Sequence, residues 1–230
     1  MSGETARALN SKRPFPSDTS RRSEKPSARF FCRSPDASAP MFTPFNLQGH
    51  RGARGLKPEN TLPSFEAAFD AGVTSIETDV HLTRDGVAVL YHDALLPAPS
   101  PTLLSALALA ELRGYRADRN PDPRRFPDQN ADVTPLAELF ARQRGLDAYG
   151  IPTLDELLQF AAAYAADLGT GAGKSAEQQQ RVRSVLFDLE LKRVPFHPET
   201  INDRFDGATA GLLEQRVVEA CLLYTSPSPR

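Results

Sequence analysis

The stretch "SIETDVHLTRDG" at residues 75–86 alternates apolar and polar residues up to a turn signal, the pattern of a β-strand packed on one face. Successive side chains of a strand point to opposite faces, so Ser75, Glu77, Asp79 and His81 share one side and Ile76, Thr78, Val80 and Leu82 the other. The apolar side calls for a layer of helices. The acidic side poses a problem, because Glu77 and Asp79 stand ~7 Å apart along the strand and repel by roughly 2 kcal/mol at an effective dielectric near ~20. A solvated strand end would relieve this. So would a hard divalent cation such as Mg²⁺ or Ca²⁺, which takes oxygen ligands.

A second strand is built on the same plan. In "SVLFDLELK" at residues 184–192, Phe187, Leu189 and Leu191 alternate with Asp188, Glu190 and Lys192. Two such strands in parallel converge at their C-terminal ends, where ligands sit in open α/β sheets and in TIM barrels. His50, after "NLQG", and His92, in "LYHD", also stand at the ends of expected strands. A lone histidine there is usually structural. A pair beside an oxygen-ligand cation site is what acid–base cleavage of an ester requires. His81 near the rim and His197 in a Pro-flanked loop are expected to be solvated or supporting.

The intervening segments read as alternating strands and helices. A short strand "FNLQ" leads into the Gly- and Pro-punctuated loop "GHRGARGLKPEN". The helix "TLPSFEAAFDAG" follows, with a Thr61 N-cap, Pro63 in its first turn, Leu62, Phe65 and Phe69 on one face, and a Gly72 stop. After the "RDG" turn, "VAVLYH" reads as a third strand. Residues 94–150 are Pro-, Asp- and Arg-rich, with short helical patterns at "LLSALALAELRGY" and "LAELFARQ". Their length suggests a lid or insertion. Thr153 and Glu156 open the helix "IPTLDELLQFAAAYAADLG" at capping-box spacing, a polar Gly/Gln linker precedes the strand at 184–192, and a last helix spans Ala208–Ala220. The alternation points to a parallel α/β architecture. "LGTGAGKS" approximates a phosphate-cradling loop, but Leu168 stands where its first glycine belongs and a helix precedes it, so no nucleotide site is expected.

The 230 residues, 40% hydrophobic, fit one domain or at most two. Residues 1–40 hold eight Lys+Arg against four Asp+Glu, and the remainder is mildly acidic, which argues against a nucleic-acid partner. Those forty residues also carry eight serines and five prolines, and are read as a disordered or non-native extension upstream of Met41. They contain no secretory apolar region, and their acidic residues argue against a transit peptide, so a cytoplasmic setting is expected. The last ten residues, "CLLYTSPSPR", back-translate into a common sequencing adapter and are set apart as an artefact, which leaves residues 41–220 as the domain. Cys32 and Cys221 both fall in the excluded segments, so no disulfide or cysteine-metal site is expected. No apolar run reaches the ~20 residues of a membrane span.

Residues 48–93, "QGHRGARGLKPENTLPSFEAAFDAGVTSIETDVHLTRDGVAVLYHD", with the later "FDLELK", closely resemble the glycerophosphodiester phosphodiesterase family, whose fold is a TIM (β/α)8 barrel. The resemblance implies metal-dependent hydrolysis of a small glycerophosphodiester to glycerol 3-phosphate and an alcohol. It implies His50 and His92 as the acid–base pair and Glu77, Asp79 and Glu190 as ligands of one Mg²⁺ or Ca²⁺. Arg51 and Lys192 would contact the phosphate, with Glu59 and Asp188 supporting them. Two departures stand out: "ALLPAPSPTLL" follows "YHD" where many relatives carry an Arg-Thr-Thr type segment, and Asp188 replaces an expected neutral amide. A TIM barrel needs about 250 residues, so the expectation is a partial barrel of about four strands with little or no activity by itself. Two rival readings share the fold: a phospholipase-D-like barrel acting on lysophospholipids, with residues 94–150 as its lid, and a non-catalytic phosphate-binding module.

Overall fold

A computed structural model describes residues 29–33, 46–97, 101–193, 200–201, 203, 205–206 and 208–225; Met41 and His197 lie outside them. In chain order the elements are β1 (Arg29–Arg33), β2 (Gln48–His50), α1 (Leu62–Asp70), β3 (Ser75–Leu82), β4 (Ala88–Leu90), β5 (Leu95–Leu96) and β6 (Thr102–Leu103). A 3-10 turn at Leu104–Ala106 leads to α2 (Leu109–Leu112), α3 (Pro135–Arg144), α4 (Leu154–Tyr164), α5 (Asp167–Gly171), α6 (Ala176–Val182), β7 (Leu186–Leu191) and α7 (Leu212–Thr225). The main sheet runs β1-β7-β3-β2, with β4 also on β3. Strands β2, β3 and β7 are parallel, in a register that sets His50 beside Glu77 and Asp79 beside Glu190. Among the described residues this arc of a TIM-type barrel does not close.

Helices cover the apolar face of the arc. Ile76, Val80 and Leu82 of β3 and Phe187, Leu189 and Leu191 of β7 are buried in one core with Leu62, Phe65 and Phe69 of α1 and Leu157 and Phe160 of α4. Phe160 meets Phe69 at 6.4 Å and Phe140 at 5.2 Å between ring centroids, so α1, α3 and α4 share an aromatic seam. Thr61 caps α1, and Thr153 with Glu156 forms the expected capping box on α4. No helix among the described residues is long and apolar enough to cross a membrane.

Several expectations need correction. The strand read at "VAVLYH" is not a parallel barrel strand: β4 runs back along β3 as a hairpin, pairing Val80 with Leu90. A turn as short as "RDG" can join only antiparallel strands, since a parallel crossover takes a dozen residues or more. Three parallel strands are therefore present among the described residues where about four were expected. The first strand starts later than "FNLQ", at Gln48, and takes in Gly49 and His50.

The segment 94–150 is not a uniform insertion. Leu136, Ala137 and Phe140 of α3 belong to the main core, whereas Leu96, Leu104 and Leu112 form a small separate cluster with Val89 and Ile151. The polar linker before β7 also folds, into α5 and α6. Ser175 and Gln178 form a capping box there, a spacing present in the sequence and passed over.

The excluded ends carry structure as well. Residues 29–33, read as part of a disordered extension, pair antiparallel with β7. Pairing at an open sheet edge needs no apolar periodicity, so composition could not reveal it. α7 starts later than Ala208 and runs into the adapter-like residues as far as Thr225, with Leu213, Val217 and Ala220 buried. Cys32 is buried, its Sγ 3.9 Å from the main-chain oxygen of Cys221, and neither cysteine is in a disulfide.

Candidate active site

The loop between β2 and α1 carries the first half of the site, and a close backbone approach shapes it. Gly52 has φ +80°, and a Cβ there would stand 2.6 Å from Ser64 Oγ and 2.8 Å from the Ser64 carbonyl. Only glycine fits both the conformation and the gap. Its neighbour Arg51 (φ 54°) and Asn60 (φ 56°) are also left-handed, a costly state for residues with side chains. The strain is held by bonds: Asn60 N–H donates to Arg51 O, and Ser64 Oγ donates to the same oxygen.

From this loop His50 and Arg51 face the β3 carboxylates. His50 Nε2 lies 3.5 Å from Glu77 Oε2, which also accepts the Arg51 amide at 3.0 Å. The Arg51 guanidinium sits between Asp79 (Nε to Oδ2, 3.2 Å) and Glu59 (2.8 Å). Asn60 Nδ2 donates to Asp79 Oδ2 at 2.9 Å, and Asn60 Oδ1 accepts from the Thr78 hydroxyl. Burial, then the nearby charges of Arg51 and Arg54, hold His50 below the usual imidazole range.

Glu190, from β7, completes an acidic cluster. Ligand oxygens of Glu77, Asp79 and Glu190 lie within 4.8 Å of one another, an arrangement that could hold a metal ion. Lys192 approaches Asp79 at 3.4 Å and Glu190 at 3.3 Å. Glu77 is buried, and burial together with the charges of Asp79 and Glu190 pushes its carboxyl up to about 7. Asp188 lies one step back along β7, beside Glu77 in register, where its carboxylate accepts a hydrogen bond from Gln48.

His92 reaches this end of the sheet because β4 is antiparallel, not because it ends a barrel strand. The Tyr91 amide donates to Asp79 O, and His92 follows directly. Its Nδ1 lies 2.7 Å from Asp93 Oδ1; among the described residues its ring bonds none of the three clustered carboxylates. The hydrogen bond from His92 draws Asp93 below the usual carboxylate range. An ionised carboxylate can only accept, so Nδ1 carries a proton and Nε2 is the acceptor of the neutral ring.

Two residues of the site, Asp93 and Asn60, were not among the expected ones. Both stand inside the quoted "YHD" and "PEN", adjacent to residues that were chosen. His81, expected to be solvated or supporting, is buried and supports its neighbour, with Nε2 3.2 Å from His92 O. Burial holds its ring neutral down to about 4. Its place on the acidic face of β3 was the available signal.

Known proteins resemble the chain over the segment that carries these residues. The profile of the Glycerophosphoryl diester phosphodiesterase family matches residues 50–212. A crystal structure of a protein assigned as a glycerophosphoryl diester phosphodiesterase from Silicibacter pomeroyi superposes with a TM-score of 0.54 at 27% identity. The match covers 78% of this chain and 53% of that one. The glycerophosphoinositol inositolphosphodiesterase of Homo sapiens is 38% identical over 136 residues, which is 51% of this chain and 23% of the human protein. A glycerophosphodiester phosphodiesterase domain-containing protein of Macaca fascicularis is 57% identical over 47 residues, 20% of this chain and 8% of its own length. The chain thus spans about half of the solved relative and a quarter or less of these curated ones. With the matched profile covering every residue of the acidic cluster and both flanking histidines, the chain belongs to the glycerophosphoryl diester phosphodiesterase family.

Proposed function

We propose that this site hydrolyses glycerophosphodiesters to glycerol 3-phosphate and an alcohol, with one Mg²⁺ or Ca²⁺ held by Glu77, Asp79 and Glu190. The observation that carries the reading is the convergence of these carboxylates within 4.8 Å, with His50, Arg51 and Lys192 in contact with them. The residues fit a hard cation: all the donors are oxygens, and buried Asp79 Oδ1 accepts no hydrogen bond among the described residues. When bound, the cation would supply Lewis-acid polarisation of a phosphoryl oxygen.

The protein's own groups do the rest. Arg51 and Lys192 offset charge that builds on the phosphate, and Glu59 keeps the Arg51 guanidinium in place. His50 and His92 divide the proton transfers, one activating the nucleophile and the other protonating the leaving alcohol. Asp93 fixes the His92 tautomer, which leaves Nε2 for that exchange. The name of the human relative makes glycerophosphoinositol a substrate to test beside glycerophosphocholine. We also propose that these 230 residues turn over slowly alone, because β2 is the outer edge of the described sheet and leaves the site open beside it.

Hydrolysis of both diesters, followed by phosphorus NMR with and without chelator, tests the reading. A slow rate is expected that chelator abolishes and that His50→Ala or His92→Ala removes, with calorimetric metal affinity largely kept. A rate indifferent to chelator, or near-normal turnover in both variants, would overturn it.

A further inference from the structure

Arg54 has a charge that the site as described does not use. Its side chain is only 18% exposed, and its Nε lies 3.0 Å from Glu59 Oε2, while Glu59 Oε1 is taken by Arg51. Its Cζ sits 4.8 Å from the centroid of the Phe126 ring, and Arg125 stands 5.4 Å from the same ring. The terminal nitrogens of Arg54 find no acceptor among the described residues. Two guanidinium groups, those of Arg51 and Arg54, therefore share one Glu59 carboxylate, and Arg125 stands by the same ring as Arg54. Burial, with the positive charges of Arg51 and Arg125, holds Arg54 below its ordinary pKa, and His50 feels its charge in turn. Arg54 is thus near enough to the candidate acid–base histidine for its charge to act on it.

We propose that Arg54 reads a second negative charge on the substrate, so that diesters whose leaving alcohol carries its own phosphate or carboxylate bind preferentially. A phosphodiester has one negative charge, and Arg51 and Lys192, both beside Asp79, lie where that charge belongs. Arg54 is one step further out, with Glu59 between it and Arg51. Phe126 holds the Arg54 cation over its ring, and the terminal nitrogens remain for a two-pronged contact with an anion. The segment that carries Phe126 also holds the loop's backbone: Gln129 Nε2 donates to Arg54 O at 2.6 Å, and Asn130 N–H donates to Leu56 O at 3.1 Å. The cation is therefore set in place before a ligand arrives, which lowers the entropy lost on binding.

The inference rests on the phosphodiesterase reading only for the identity of the molecule that bears the anion. Two probes that differ by a single phosphate separate the questions: glycerophosphoinositol and glycerophosphoinositol 4-phosphate, titrated calorimetrically into the full chain. The phosphorylated probe should bind at least about tenfold tighter, the scale of one charge-assisted contact. Arg54→Gln should abolish that preference while the affinity for the plain probe is unchanged, and Arg54→Lys should keep part of it. Equal affinities in the wild type, no binding of either probe, a preference that survives in Arg54→Gln, or equal weakening of both probes would each overturn the proposal. Hydrolysis is followed in the same samples. Absence of product with the preference intact would sink the phosphodiesterase reading and leave the anion site standing.

Discussion

His81 Nε2 lies 3.2 Å from the main-chain oxygen of His92, so a buried imidazole on β3 pins the backbone that carries the second candidate acid–base histidine. A carbonyl can only accept, so Nε2 carries the proton, and Nδ1 is left buried without a hydrogen-bond partner among the described residues. His81→Leu should cost about 1–3 kcal/mol in urea unfolding, because the carbonyl loses its donor. It should also lower kcat for diester hydrolysis while KM holds. His81→Gln, which can still donate, should recover most of the rate. If glutamine proves as damaging as leucine, the tether is not what positions His92.

Glu77 gives the site a pH dependence whose direction depends on the cation. Its folded carboxyl, pushed up to about 7 by burial and by Asp79 and Glu190, holds a proton that the unfolded carboxyl releases near its ordinary 4.5. In the metal-free protein its contribution to stability is therefore greatest below about 4.5 and falls as pH rises through about 7. A divalent cation needs the ionised form, so Mg²⁺ or Ca²⁺ affinity should climb with pH and level off above about 7. Calorimetric titrations across this range, paired with denaturant unfolding with and without metal, measure both trends. An affinity that does not change with pH would remove Glu77 from the ligand set.

Period-two alternation exposed the acidic faces of β3 and β7 because a strand's side chains alternate by geometry alone, so Glu77, Asp79 and Glu190 were legible together. Alternation could not tell a parallel strand from a hairpin return, which is why "VAVLYH" read as a barrel strand; the shortness of the "RDG" turn held that information. The burial of His81 was out of reach for a related reason. Periodicity gives a residue's face but not what covers it, and what covers His81 is the chain brought back by β4. β1 lay beyond reach of any local pattern, since its partner β7 is more than 150 residues away in sequence.

Gly52 should tolerate no side chain. Alanine there would need both a positive φ and room that Ser64 occupies, with contacts of 2.6 and 2.8 Å against an atom set that includes main chain. Gly145, also at positive φ (64°) but with open space around its Cβ position, isolates the conformational part. Gly145→Ala should cost about 1 kcal/mol. Gly52→Ala should cost about 1–3 kcal/mol beyond that, since the loop must move, and should weaken metal binding as Arg51 shifts. Equal losses of stability in urea for the two variants would show that the Ser64 contact relaxes freely.

Lys174, the lysine of the phosphate-loop look-alike "LGTGAGKS", is committed to a structural ion pair. Its Nζ lies 2.6 Å from Glu66 Oε1 and 2.8 Å from Asp70 Oδ2, and its side chain is almost wholly buried. Glu66 is itself fully buried, and its two oxygens accept the Leu136 and Ala137 amides at the start of α3. One carboxylate thus ties α1 to α3 and depends on Lys174 for its countercharge. Lys174→Met leaves that charge without a countercharge and should destabilise the fold by about 3–5 kcal/mol, the usual effect of breaking one side of a buried pair. Adding Glu66→Gln should return part of the loss, because a neutral amide can still accept an α3 amide hydrogen and no longer buries a charge. Denaturant unfolding of the single and double variants measures the coupling, and the wild type should show no calorimetric signal with ATP. A Lys174→Met variant as stable as the wild type, or ATP binding that requires Lys174, would free the lysine for the ligand role that this geometry denies it.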